Sequence, residues 1–119
     1  MDYGASRMAS SPQPGGPFSR VSVYTGQMEF DWDRSKAAQN LRKHKVSFHE
    51  AATVFGDFFG TTASDPDHSA EEHRYITVGL SSRGRVLMVA HAERVERIRI
   101  TSARRLTRSE KRIYEEAQR

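Results

Sequence analysis

The sequence predicts one small α+β domain, and three observations carry that prediction. The chain has 119 residues, 36% of them apolar, enough for one core and too few for two. Capping residues at Asp33, Ser47 and Thr107 each precede a stretch with helical apolar spacing. Between the second and third of these the apolar period changes to two, which marks strands.

Residues 1–27 hold three of the four prolines and four of the eight glycines, with five serines. The segment is expected to be a disordered extension, and the domain to occupy residues 28–119, with Met28 a candidate start. Val21, Val23 and Tyr24 alternate too briefly for more than an added strand. Met28 to Trp32 reads as a short strand. Asp33 caps a helix through RSKAAQNLRKH, with Ala37, Ala38, Leu41 and the ring of His44 on its apolar stripe. Ser47 with Glu50 forms a capping box for a second helix that buries Phe48, Ala51, Ala52 and Phe55 and stops near Gly56. Phe58 to Thr62 fits strand or loop equally. Ser64 to His73, with Asp65-Pro66-Asp67, reads as a polar loop. Arg74 to Leu80, Arg85 to His91 and Arg97 to Ala103 read as a three-stranded antiparallel meander. Thr107 and Glu110 then cap a last helix with Ile113, Tyr114 and Ala117 as its buried side. The predicted order is βααβββα.

The chain has no cysteine, which excludes disulfides, thiolate metal sites and a thiol nucleophile. No apolar run approaches the roughly 18 residues of a membrane span, so a cytoplasmic protein without a membrane partner is expected. The net charge of +4 is unevenly distributed. Residues 28–73 carry five basic against nine acidic side chains, and residues 74–119 twelve against five. Every Lys or Arg from 74 to 105 is an arginine, the side chain whose planar fork matches phosphate. Alternation sets Arg97 and Arg99 opposite Ile98 and Ile100, and Arg83, Arg85, Arg104 and Arg105 are expected to converge with them on one groove. An acidic protein partner would suit that surface as well as RNA does.

Three blocks stand in order: FDWDRSKAAQNLRKHKVSFHEAATVF at 30–55, EEHRYITVGLSSRGRVLMV at 71–89, and RIRITSARRLTRSEKRIYEE at 97–116. Together they resemble the BrnT family, toxins of BrnT/BrnA type II toxin–antitoxin systems. The resemblance implies a RelE-like ribonuclease fold. It also implies a BrnA-like ribbon-helix-helix antitoxin, in a complex of two toxins with two antitoxins that reaches operator DNA only through the antitoxin. Lys45 stands where the family usually has glycine, which argues against a left-handed cap at the end of the first helix.

RNA carries its own nucleophile, so cleavage needs positioning, an acid, a base and cations, and no cofactor or metal. Lys43, His44, Arg83, Arg99 and Arg104 are the candidate catalytic residues, with His44 as acid or base because its ordinary pKa is about 6.5. Arg74, Arg85, Arg97 and Arg105 are the candidate RNA-binding residues. Replacing Arg99 or Arg104 is expected to abolish cleavage and spare the fold. His68 and His73 lie among acidic residues at no recognisable metal-ligand spacing. Trp32 and Tyr75 suit either stacking on an RNA base or, as the preferred reading, core packing, and Ser102 is a phosphate donor without a base to activate it. The alternative function is a non-catalytic basic module that binds RNA or an acidic protein.

Overall fold

A computed structural model describes residues 19–65 and 73–118. Strands β1 (Arg20–Thr25) and β2 (Met28–Asp33) are followed by α1 (Arg34–His44), α2 (Phe48–Thr53) and a 3-10 turn at Val54–Gly56. Strands β3 (Thr61–Ser64), β4 (Arg74–Leu80), β5 (Val86–Arg94) and β6 (Arg97–Arg105) come next, and α3 (Arg108–Ala117) closes the chain. The strands form one sheet in the order β1-β2-β6-β5-β4-β3, antiparallel except where β2 runs parallel to β6.

Of the segment expected to be disordered, residues 1–18 lie outside the described residues. Arg20–Thr25 corrects the expectation for its remainder, pairing with β2 from Arg20↔Asp33 to Thr25↔Met28. The two-residue turn needs a positive φ, which Gly26 supplies at 64°. Val21 and Val23 pack on the core, so the strand is held by burial as well as by its ladder. The ambiguous stretch Phe58 to Thr62 divides, with residues 58–60 a turn and Thr61–Ser64 forming β3, an exposed edge strand paired with β4 that takes in Ser64 from the expected loop. The acidic residues Asp67, Glu71 and Glu72 and the neighbouring His68 lie outside the described residues.

Phe30, Trp32, Leu87, Val89, Ile98, Ile100 and Ala103 point from the sheet into a core completed by Val46, Phe48, Ala51, Ala52 and Val54. Ile76, Val78 and Met88 alternate with the inward Thr77, Leu87 and Val89, and so face the other side, where α3 lies. Glu50 does not complete the expected capping box on α2. Ser47 Oγ accepts from the Glu50 amide, but the Glu50 carboxylate turns to Arg85 and Ser81. The box at Thr107 and Glu110 is complete. Lys45 adopts the left-handed conformation after all, at φ 61°, with its amide donating to the Leu41 carbonyl as a glycine would. Its carbonyl in turn accepts from Arg85 at 3.1 Å, which helps fix the strained residue.

The buried stripe of α1 is rotated from its expected position. Leu41 and Ala38 are exposed, whereas Asn40 is buried with Ala37 beside it. The expected buried side of α3 is also corrected, since no residue of α3 is buried and Ile113 is 67% exposed.

Candidate functional site

Strand β2 accompanies β6 only as far as Asp31↔Arg99, which leaves the rest of that β6 edge without a strand. Helix α1 covers it through one side chain. Asn40 Nδ2 donates to the Ala103 carbonyl at 2.8 Å and to the Val46 carbonyl at 3.0 Å, and Oδ1 accepts from the Ala103 amide at 3.1 Å. The side-chain amide thus substitutes for a strand peptide, satisfying buried groups that would otherwise be orphaned. Lys36 and His44 lie one turn to either side of Asn40, so the same docking brings both to the sheet.

They form one wall of a cleft of about 530 Å³. The sheet supplies Arg74, Ala90, Ser102 and Arg104, among others, and the buried Asp65 lines it as well. A β-bulge at Ala90/His91 shapes the floor, with Thr101 as the extra residue on β6 and its Oγ1 donating to the Ala90 carbonyl at 3.1 Å.

Arg104 is clamped. Nη1 donates to Glu110 Oε1 at 2.8 Å and Nη2 to Glu110 Oε2 at 2.9 Å, a two-point pairing with the first turn of α3. The Arg104 guanidinium holds the Glu110 carboxyl well below its usual range, at about 2, and the carboxylate raises the Arg104 pKa in return. His91 also lines the cleft but is 4% exposed. Its Nε2 lies 2.8 Å from Thr77 Oγ1, its ring stacks with Tyr75 at 5.9 Å, and Nδ1 has no partner among the described residues. Burial lowers its pKa to about 4, so it is neutral at pH 7.

The candidate residues are therefore only partly assembled. His44, Arg74 and Arg104 share the cleft. Lys43 is exposed on α1 away from its lining, and Arg83 is exposed at the β4–β5 turn. Arg99 donates Nε and Nη2 to the two carboxylate oxygens of Asp31, at 2.9 and 3.1 Å, and Arg97 pairs with the same carboxylate at 3.1 Å. Arg85 is bound to Glu50, and the Arg85 side chain lowers the Glu50 pKa. Arg105 lines a separate depression of about 150 Å³ with Arg85 and Lys111. The expected convergence of the arginines on one groove does not occur, because acidic residues of the first half of the chain hold several of them elsewhere. Lys36 was not among the expected site residues. The spacing Lys36-Asn40-His44, four residues each, is the signal that places it with His44 on one helix face.

Trp32 is buried as expected, and Tyr75 is half-buried against His91. Among the described residues no helix is long and apolar enough to cross a membrane.

The fold is thus a small α+β domain whose one open cleft gathers two histidines, a lysine and two arginines beside a single carboxylate. The family model described as the ribonuclease toxin BrnT of type II toxin–antitoxin systems matches residues 32–110, and the chain belongs to that family. It is a ribonuclease toxin by membership, which implies an RNA substrate and an antitoxin partner. No curated protein matches the chain.

Proposed function

We propose that this RelE-like domain, residues 28–119 with the added strand β1 before them, is an endoribonuclease that cleaves RNA without a metal ion. The ribose 2′-hydroxyl attacks the adjacent phosphorus, the bond to the 5′-oxygen breaks, and the products end in a 2′,3′-cyclic phosphate and a 5′-hydroxyl. His44 takes the proton from the 2′-hydroxyl or gives one to the departing 5′-oxygen, and solvent water exchanges the other proton. Arg74, Arg104 and Lys36 hold the phosphate and offset the charge that develops on its oxygens. Lys43, Arg83, Arg97 and Arg105, outside the cleft, contact the flanking backbone. Arg85 and Arg99 act through the fold, by the ion pairs that hold them. A BrnA-like ribbon-helix-helix antitoxin, two copies to two toxins, silences the protein in the cytoplasm by covering the cleft, and operator DNA is reached through the antitoxin alone.

The observation that carries this reading is the meeting of His44 with Arg74 and Arg104 in one cleft, from elements far apart in sequence. The test is incubation of the antitoxin-free protein with end-labelled RNA in excess EDTA, beside His44→Ala and Arg104→Ala. Cyclic phosphate ends are expected, with His44→Ala slower by about 100-fold or more. A folded protein that binds RNA and leaves it uncut, free or on translating ribosomes, would instead be a binding module.

A further inference from the structure

An arginine that grips a phosphate needs N–H groups to offer, and Arg104 has few left. Of its five donors, two go to the Glu110 carboxylate, one to the Arg105 carbonyl at 3.1 Å and one to Met88 Sδ at 3.2 Å. The Glu110 oxygens stand where the two oxygens of a phosphodiester would meet the fork. The helix that carries Glu110 is lightly seated. No residue of α3 is buried, and a space of about 400 Å³ lies between Ile113 and Tyr114 on one side and Val78 and Met88 on the other. Glu110 lines that space and not the cleft, and its helix starts directly after Leu106 and Thr107, so the carboxylate reaches the Arg104 fork from outside the cleft.

We propose that Glu110 is an internal competitor for the substrate phosphate, occupying the Arg104 fork until RNA displaces it, and so sets the affinity of the cleft for RNA. This rests on the reading of the cleft as the RNA site. Exchange of a carboxylate for a phosphodiester keeps the arginine paired in both states, and the departing Glu110 passes into solvent while Tyr114, beside Asp57, and Gln118, donating to the Phe59 carbonyl at 3.4 Å, keep α3 in place.

Glu110→Gln is the informative variant, because its amide oxygen still accepts from the Thr107 amide and preserves the cap while the charge is removed. The probe is a single-stranded RNA oligonucleotide with 2′-O-methyl riboses, which the full chain can bind and cannot cut. Glu110→Gln is expected to bind it about threefold to tenfold more tightly, the range that separates an exposed ion pair from a two-point one. The slope of log Kd against log salt is expected to steepen by up to about 0.7, because no freed carboxylate recaptures a cation. In an Arg104→Ala background the same change should have no effect. Glu110→Asp, which keeps the cap and retracts the charge by one methylene, should tighten binding to a smaller degree and serves if the first variant fails to fold. Unchanged or weaker binding in both variants, or equal tightening without Arg104, would overturn the proposal. Cleavage of unmodified RNA separates the two readings. Tightening without cleavage in any variant refutes the ribonuclease assignment alone, and cleavage by the parent chain without tightening refutes the competition alone.

Discussion

Asp31 is 5% exposed and receives the Arg99 fork at two points, with the exposed Arg97 as a third donor, so a buried carboxylate joins two arginines where β2 meets β6. Arg99→Ala would leave that carboxylate buried with only the more exposed Arg97 to face it. The expected cost is about 2–3 kcal/mol, somewhat less than for a buried charge left wholly alone. Urea unfolding followed by circular dichroism should show it, with Arg83→Ala, at an exposed turn, within about 0.5 kcal/mol of the parent. An unchanged midpoint for Arg99→Ala would mean that the pair contributes nothing. Loss of RNA cleavage in that variant is thus no measure of catalysis, contrary to what the sequence suggests. Alternation correctly sets Arg97 and Arg99 on one face. It is silent on Asp31 because the partner lies 68 residues away, across a parallel pairing that no local pattern encodes. Arg85 and Glu50 escape notice for the same reason, 35 residues apart.

At the scale of elements, helix starts were legible because a cap is a local device: Asp33, Ser47 and Thr107 each accept from the backbone three residues on. The face that α1 buries was not, because its anchor is the polar Asn40 and an apolar stripe is the wrong signal for it. Likewise the meander is plain from its period, whereas β1 is defined mainly by what β2 lacks, a partner on its outer edge. A chain beginning at Met28 would keep the 32–110 stretch that the family shares and lose β1. It should fold with stability lower by about 1–3 kcal/mol, the burial of two half-covered valines less the entropy of ordering them. It should also associate more readily through the bared β2 edge. Denaturant unfolding and size-exclusion chromatography at several concentrations test both effects, and equal stability with no self-association would show that β1 is dispensable.

Taken as a whole, the molecule is less two-sided than its sequence. The acidic first half and basic second half are stitched together by Asp31 with Arg97 and Arg99 and by Glu50 with Arg85. The site is smaller than the count of arginines implies because Arg85, Arg97 and Arg99 are committed to these pairs outside the cleft. The same folding buries a histidine in the sheet, and its proton equilibrium reports on the integrity of the whole. Burial holds His91 at about 4, against about 6.5 in an unfolded chain. Between those values the unfolded state binds more protons than the folded one, so stability is fully present above about pH 6.5 and declines as the pH falls towards 4. For this one group the decline should reach roughly 2–3 kcal/mol by pH 4.5. Glu50 and Glu110, both lowered by their arginines, act in the same direction but mainly below their ordinary pKa of 4.5. His91→Gln retains a hydrogen-bonding partner for Thr77 and removes the titration. Urea unfolding at intervals from pH 7.5 to 4.5 should therefore give a falling stability for the parent chain and a much flatter one for His91→Gln. Parallel curves would place the acid sensitivity elsewhere and mean that His91 takes up its proton without opening the sheet.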